Sequence, residues 1–337
     1  MTNKGLKNKK LFIRSIKIAV GSLIAILLAT GMGLQFAASA GIVTLLSVVN
    51  TKWDTLKLSI ARVVTFIASV MIAYNTFSFI SSEWIAFGIY IFIIVLLSHM
   101  AGYESTVSVN AVIGTHFLST MDFSYTFILN EFLIVALGTG IAIVLNMITG
   151  NRSQRQKLLD DIRYVEKTFQ MLLGEMSDYL RHKKMGDNVW QDITALEDHL
   201  EHSLERAHEY HGNVFAAHPE YYIHYMEMRM HQCMILQTLH HEINKIRELP
   251  MQAEIVADFM SYLKEYVTEH NNPVAQQERL KELIEYIQNG ELPKTRREFE
   301  SQIILYHVLM DLDEFLLLKG QFVCSLTDEQ RRVYWRE

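Results

Sequence analysis

The chain has no lysine or arginine between Arg62 and Arg152, a gap of 89 residues that holds only four carboxylates, Glu83, Glu104, Asp122 and Glu131. A soluble domain of that size needs charged side chains to face water. Hydrocarbon excludes them, at a cost of at least ~2.5–3.5 kcal/mol for a central Lys or Arg. The gap therefore reads as membrane-embedded chain. Proline is missing before Pro219, so a broken membrane helix in the first half has to be broken at glycine or another small residue. Only two cysteines occur, Cys233 and Cys324, with no CxxC pair, which fits reduced thiols in a cytosolic compartment. GxxxxGK[ST], GxSxG and HExxH are all absent. That excludes a self-contained P-loop motor and leaves no nucleophile–base set, so an enzyme is not expected. No cofactor or resident metal is expected either.

What is present falls into two kinds of polymer. Residues 1–151 carry nine Lys and Arg against five Asp and Glu, a net of +4, and the remainder carries a net of −10. The acidic half argues against nucleic acid as a partner, because phosphate binding needs a basic surface. The start resembles a signal peptide, with Lys4, Lys7, Lys9 and Lys10 before an apolar run and Ala38-Ser39-Ala40 after it. The run from Ile18 to Leu34 exceeds the usual ~7–15-residue apolar core of such a peptide, so it reads as a retained first membrane helix.

Crossing ~30 Å of hydrocarbon takes ~20 apolar residues in a helix. Six segments are candidates: 11–34, 36–49, 58–80, 84–100, 103–118 and 127–149. The second is short and the fifth polar, so either is a candidate re-entrant segment, which requires burial within protein. Cations collect in the leader, at Lys52, Lys57 and Arg62, and at Arg152, Arg155 and Lys157, while the expected outer loops near Gln35, at 81–83 and at 120–126 have none. An even number of spans with both termini in the cytoplasm satisfies this distribution. Small-residue pairs at Ala37/Gly41, Ala136/Gly140 and Gly138/Ala142 allow close helix approach.

All four prolines lie in the polar half, each where one helical pattern ends and another begins. Leu158, Ile162, Val165 and Phe169 show helical spacing, and no alternating strand pattern appears. The expected fold is all-α: a six-helix transmembrane bundle over residues 1–150, then a cytoplasmic bundle of five or six helices over 151–337. The first cytoplasmic helix is expected to run straight out of span six.

The run Ser39-Ala40-Gly41-Ile42-Val43-Thr44-Leu45-Leu46-Ser47-Val48, with Thr51-Lys52, Leu56-Lys57 and Arg62, resembles the bacterial aromatic acid exporter family, which belongs with the fusaric acid resistance proteins. Asn130-Glu131, Gly138-Thr139-Gly140 and Asn146-Met147 fit the same pattern, and residues 221–232 resemble that family's cytoplasmic C-terminal domain. The resemblance implies six spans, a cytoplasmic helical domain, an inner-membrane location and export of aromatic carboxylic acids. Larger relatives carry the membrane unit twice. This chain carries it once, so a homodimer or higher homo-oligomer is expected.

Several constellations are candidates for function. Lys52, Lys57 and Arg62 are the cations nearest the membrane interior, placed to attract a small organic anion, with Arg62 the deepest, although topology and snorkelling are the first reading of all three. Ser108 and Asn110 add polar groups along span five. Glu104 and His116 are candidate proton carriers, since intramembrane polar groups face a bundle interior or a water-filled path. Glu131, at the outer start of span six, reads as solvent-exposed. The polar half holds 12 of the 14 histidines, including His199/His202 and His208/His211 at i,i+3, which read as solvated or core residues. The leading expectation is a secondary exporter of weak organic acids. The alternatives are a membrane-anchored scaffold or sensor whose helical domain binds a protein, and a metal-responsive regulator.

Overall fold

The computed structural model describes residues 3–49, 51–148, 152–181, 188–214, 218–246, 249–290 and 292–335. Every regular element among them is a helix. The chain divides into two compact units, Met1–Gly150 and Asn151–Glu337.

The first unit contains α1 (Asn3–Gly31), α2 (Ala38–Ser47), α3 (Lys52–Phe79), α4 (Glu83–Met100), a 3-10 turn (Glu104–Thr106), α5 (Val107–Thr120) and α6 (Tyr125–Met147). Local chemistry sets the boundaries. The Thr51 hydroxyl accepts from the Asp54 amide at the start of α3, and the Ser124 hydroxyl accepts from the Phe127 amide at the start of α6. Met121, at φ 49°, ends α5 in the left-handed region.

Among the described residues four helices are long and apolar enough to cross a membrane: Leu11–Gly31 within α1, then α3, α4 and α6. The other two expected spans are shorter. α2 has 10 residues and α5 has 14, which at 1.5 Å per residue give ~15 and ~21 Å against ~30 Å of hydrocarbon. Each packs one face against its neighbours instead, with Ile42 and Leu45 of α2 and Ser108 and Thr115 of α5 left exposed. On α2, Ser39, Ala40, Gly41, Val43, Thr44 and Ser47 are buried, and on α5, Val109, Asn110, Ile113, Gly114, His116 and Phe117 are buried. That packing is what a segment too short to span must have. The unit's core is formed by Phe66, Tyr90, Ile94, Ile113, Phe117 and Ile134, while Leu27, Ile67 and Phe92 point outward and are more than half exposed. An apolar exterior of this kind suits lipid rather than water.

Glycine permits the tightest contacts. A Cβ at Gly138 of α6 would lie 2.6 Å from Val43 Cβ and 2.9 Å from the Ala40 carbonyl oxygen of α2, whereas one at Gly140 would meet nothing within 4 Å. Of the two small-residue pairs in α6, then, Gly138/Ala142 packs inside the unit and Gly140 does not.

The second unit contains α7 (Arg152–Leu180), α8 (Val189–Asn213), α9 (Glu220–Ile243), α10 (Met251–Lys264), α11 (Val274–Gln288), α12 (Arg296–Ser325) and α13 (Asp328–Tyr334). Among the described residues seven helices stand where five or six were expected. The addition is α13, whose seven residues are too few for a periodic apolar pattern and which depends on a capping box between Thr327 and Gln330. Pro219, Pro250 and Pro273 immediately precede α9, α10 and α11. Leu158, Ile162, Val165 and Phe169 join Leu236, Met260 and Phe315 in one apolar core. The expected continuous helix out of span six falls on residues 149–151, outside the described residues.

Gly138→Ala should destabilise the protein by about 1–3 kcal/mol, because the obstructing atoms include backbone. Gly140→Ala should be neutral or mildly stabilising, by up to ~1 kcal/mol. Thermal unfolding midpoints in detergent micelles test the pair, and equal shifts for both variants would contradict the packing described.

Candidate functional site

The short helix α2 organises the polar groups of the first unit, with a different cluster at each end. At its N-terminal end, Ser39 Oγ lies 3.0 Å from His116 Nε2, and His116 Nδ1 lies 2.7 Å from Glu131 Oε2. These residues come from α2, α5 and α6. Ser39 and His116 are each 6% exposed, and Glu131 is wholly buried. The second carboxyl oxygen of Glu131 accepts from Asn130 Nδ2 at 3.1 Å. Asn130 also exchanges hydrogen bonds with the backbone of Gln35: it accepts from the amide at 2.8 Å and donates to the carbonyl at 3.2 Å. Phe36 stacks on the His116 ring, centroids 4.1 Å apart and planes within 5°. The imidazole is thus fixed in orientation, with a carboxylate on one nitrogen and a hydroxyl on the other.

This corrects the reading of Glu131 as solvent-exposed. Its position two turns into α6 suggests a helix end near water, but residues 35–39 fold over it. An ionised carboxylate there is tolerable only if paired, and His116 is the partner.

The C-terminal end of α2 is held by Arg62 of α3, which is 1% exposed. Its Nη1 donates to the Val43 carbonyl at 3.2 Å and to the Ser47 hydroxyl, and its Nη2 donates to the Leu46 carbonyl at 2.9 Å. The last carbonyls of a helix lack intrahelical partners and carry the negative end of its dipole, and a guanidinium answers both needs. Arg62 Nε is buried without a hydrogen bond. The geometry therefore gives Arg62 a capping role.

Close to this end, Lys17 Nζ of α1 donates to Asn146 Oδ1 of α6 at 3.2 Å, and Asn146 Nδ2 donates to the Val49 carbonyl at 3.0 Å and the Thr55 hydroxyl at 2.5 Å. Arg14 and Lys52 are near enough to act on the charge of Lys17. Lys52 is half-buried, and Lys57 is exposed with its Nζ 5.4 Å from the Trp53 ring centroid.

The remaining candidates separate from these clusters. Glu104 is exposed in the 3-10 turn, 3.8 Å from the equally exposed His99. Ser108 is exposed. Asn110 is buried, and its carbonyl accepts from the Tyr90 hydroxyl at 2.7 Å, which also meets Ser69 at 2.5 Å. Of the polar side chains of span five, His116 is the one that joins the relay; the Tyr90 contact is to the Asn110 backbone carbonyl and does not depend on that side chain. Sequence reasoning did not place Ser39, Lys17 or Asn146 in a site. Two of these came from the leader and from a small-residue motif, where polar groups carry no distinguishing spacing.

In the second unit the paired histidines have separate partners: His199 Nε2 is 3.3 Å from Asp161, and His202 Nδ1 is 3.6 Å from Glu205. Burial works to raise the Asp161 pKa, but the contacts with His199 and Arg206 outweigh it and hold the carboxyl below its ordinary range. Among the described residues no three of His, Cys, Asp and Glu gather as a metal site.

Long apolar helices with outward apolar faces, packed with two short helices around a buried His–carboxylate pair, define a multi-pass membrane protein. Residues 9–149 match the description "Aromatic acid exporter family member 1", and residues 155–320 match "Putative aromatic acid exporter C-terminal domain". The chain belongs to the aromatic acid exporter family, a family of membrane exporters. It is 26% identical over 315 residues to the uncharacterized protein YqjA of Bacillus subtilis (strain 168), covering 93% of this chain and 96% of that one. A solved structure described as "Crystal structure of putative membrane protein from Clostridium difficile 630" aligns at 22% identity and a TM-score of 0.45, over 50% of this chain and 98% of its own.

Removing the cap should be costly. Arg62→Ala leaves the part-buried Leu46 carbonyl without its donor, although the Val43 carbonyl keeps the Ser47 hydroxyl, and should destabilise the fold by about 1–3 kcal/mol. Thermal unfolding in micelles measures this. A variant that unfolds at the native temperature would return Arg62 to the anion path.

Proposed function

We propose that this chain is a secondary exporter of weak organic acids, aromatic ones among them, whose passage is coupled to proton movement at His116 and Glu131. The observation that carries this reading is the buried contact of 2.7 Å between His116 Nδ1 and Glu131 Oε2 inside the membrane unit. A neutral imidazole can donate from Nδ1 to the carboxylate while accepting from the Ser39 hydroxyl at Nε2. On taking up a proton it becomes a donor at both nitrogens, and the Ser39 hydroxyl must turn to accept. Protonation thus changes the hydrogen-bond direction at the start of α2.

Charge placement supports the direction of travel. With the termini in the cytoplasm, Lys17, Lys52 and Lys57 lie at the cytoplasmic face, where they attract an anion. His116 and Glu131 lie toward the outer face. Without a nucleotide motif, the work comes from a proton gradient or the membrane potential, the latter worth ~2.3 kcal/mol per charge per 100 mV. Two or more copies assemble to enclose the path, and the second unit lies in the cytoplasm.

Benzoate flux from proteoliposomes with and without an imposed proton gradient tests the proposal. Gradient-driven flux should fall by about tenfold or more in Glu131→Gln, the change that ~1.4 kcal/mol makes. Benzoate–benzoate exchange at zero gradient should persist, because it needs no net proton movement. Gradient-driven flux at the native rate in Glu131→Gln would remove the proton role. Absence of benzoate flux in every arm, from folded protein, would favour a membrane-anchored scaffold.

A further inference from the structure

A third polar arrangement lies within the second unit. Tyr221, Tyr225 and Arg229 follow one another at i, i+4 and i+8 on α9 and are at most 1% exposed. Facing them is Lys319 of α12, 4% exposed. Among the described residues its one hydrogen bond runs to the Glu269 carbonyl, at 2.6 Å. Its Nζ otherwise meets the faces of Phe322, Tyr225 and Trp335, with centroids 5.2, 5.5 and 5.6 Å away. An ammonium has three donors, so two go without a strong acceptor. Arg229 donates from Nε to the Tyr225 hydroxyl and from Nη1 to Gln232, but Nη2 is buried without a hydrogen bond, 3.9 Å from Glu166. Glu166 and Glu269 are the carboxylates beside these cations, accepting from the Tyr225 hydroxyl at 3.1 Å and the Tyr221 hydroxyl at 2.8 Å, but neither carboxylate hydrogen-bonds Lys319. Burial drives Lys319 well below its ordinary pKa and raises that of Glu166.

The chain's own last helix covers this cluster. The Tyr334 ring stacks on Tyr221, centroids 4.2 Å apart and planes within 4°, and Trp335 donates from Nε1 to the Tyr221 hydroxyl at 3.1 Å. The same indole is the ring over Lys319. Most other ties of this strap are exposed and polar. Glu329 meets His218 at 2.6 Å, and Arg331 donates to the Val323 carbonyl at 2.8 Å. Within α13 only Gln330 is buried. Its apolar hold is confined to the partly buried Tyr334 and Trp335, and a segment held by two such anchors opens at lower free-energy cost than the core helices.

We propose that the slot under α13 is a binding site for planar aromatic carboxylates, occupied in this structure by the chain's own Tyr334 and Trp335. A ligand ring takes the place of Tyr334 on the Tyr221 face. Its carboxylate takes the place of the Trp335 indole over Lys319, supplying the acceptor that the ammonium lacks, with Arg229 behind it. Neutral aromatics gain the stacking but not the charge contact. Aliphatic acids gain the charge contact but not the stacking. The site does not rest on the transport reading, since none of its residues belongs to the membrane unit.

The test uses the full chain in micelles with Trp53, Trp84 and Trp190 replaced by phenylalanine, so that emission reports Trp335 alone. Benzoate should shift that emission to the red with saturation, as the indole leaves for water, and benzamide and cyclohexanecarboxylate should not. Lys319→Met should weaken benzoate binding by about tenfold or more. Tyr334→Ala, which removes a ring at the edge of the core and so tests the site should Lys319→Met fail to fold, should tighten it by removing the internal competitor. Glu131→Gln should leave the response unchanged, which separates this site from the membrane relay. A response equal for benzamide, no response to benzoate, unchanged affinity in Tyr334→Ala, or loss of response in Glu131→Gln would each overturn the assignment.

Discussion

The constraint on which the first unit depends is that hydrocarbon offers neither counter-charge nor hydrogen-bond partner. Each polar group kept there has to find its partner within the protein. The long stretch without cations is the passive side of this rule. Its active side is seen at α2, which ends inside the unit and so exposes carbonyls to a place without water. Arg62 answers those carbonyls, and they in turn make a buried guanidinium tolerable. Glu131 is handled in the same manner, with His116 on one oxygen and Asn130 on the other.

The second unit keeps polar groups inside for a different reason. It has an ample apolar core, and water could have solvated Arg229 and Lys319 had they been placed on a surface. Instead the two cations are surrounded by tyrosines, Phe322, Trp335 and two carboxylates. Buried charge of this kind contributes little to stability compared with apolar packing of similar volume. Its presence beside a lightly anchored helix points to recognition rather than to holding the fold together.

Much of the fold was legible in the residues. The four long helices follow from run length and from charge exclusion, and the helical nature of the acidic half follows from apolar spacing between prolines. Six crossings do not follow in the same way, because α2 and α5 are short and the packing of one face of each is a tertiary fact with no local signature. The candidate site was legible only in part. His116 stood out as a polar residue in a membrane segment, but Glu131 lies close to a helix start and reads as exposed until residues 35–39 are seen to cover it. Arg62 was prominent for its depth, yet depth does not tell whether a cation waits for a ligand or caps a helix. The Tyr221, Tyr225 and Arg229 stripe was visible as a motif of the C-terminal domain. Its purpose depends on α12 and α13, which lie about a hundred residues further along the chain.

The two clamps on α2 have a mechanical consequence. Ser39 ties its head to His116, Arg62 grips its tail, and Gly138 brings α6 against its flank. A ten-residue rod with intact internal hydrogen bonds does not stretch. Any rocking that draws the head away from the imidazole must therefore also shift the tail against the guanidinium, and the two ends keep time with one another as the arms of a lever do.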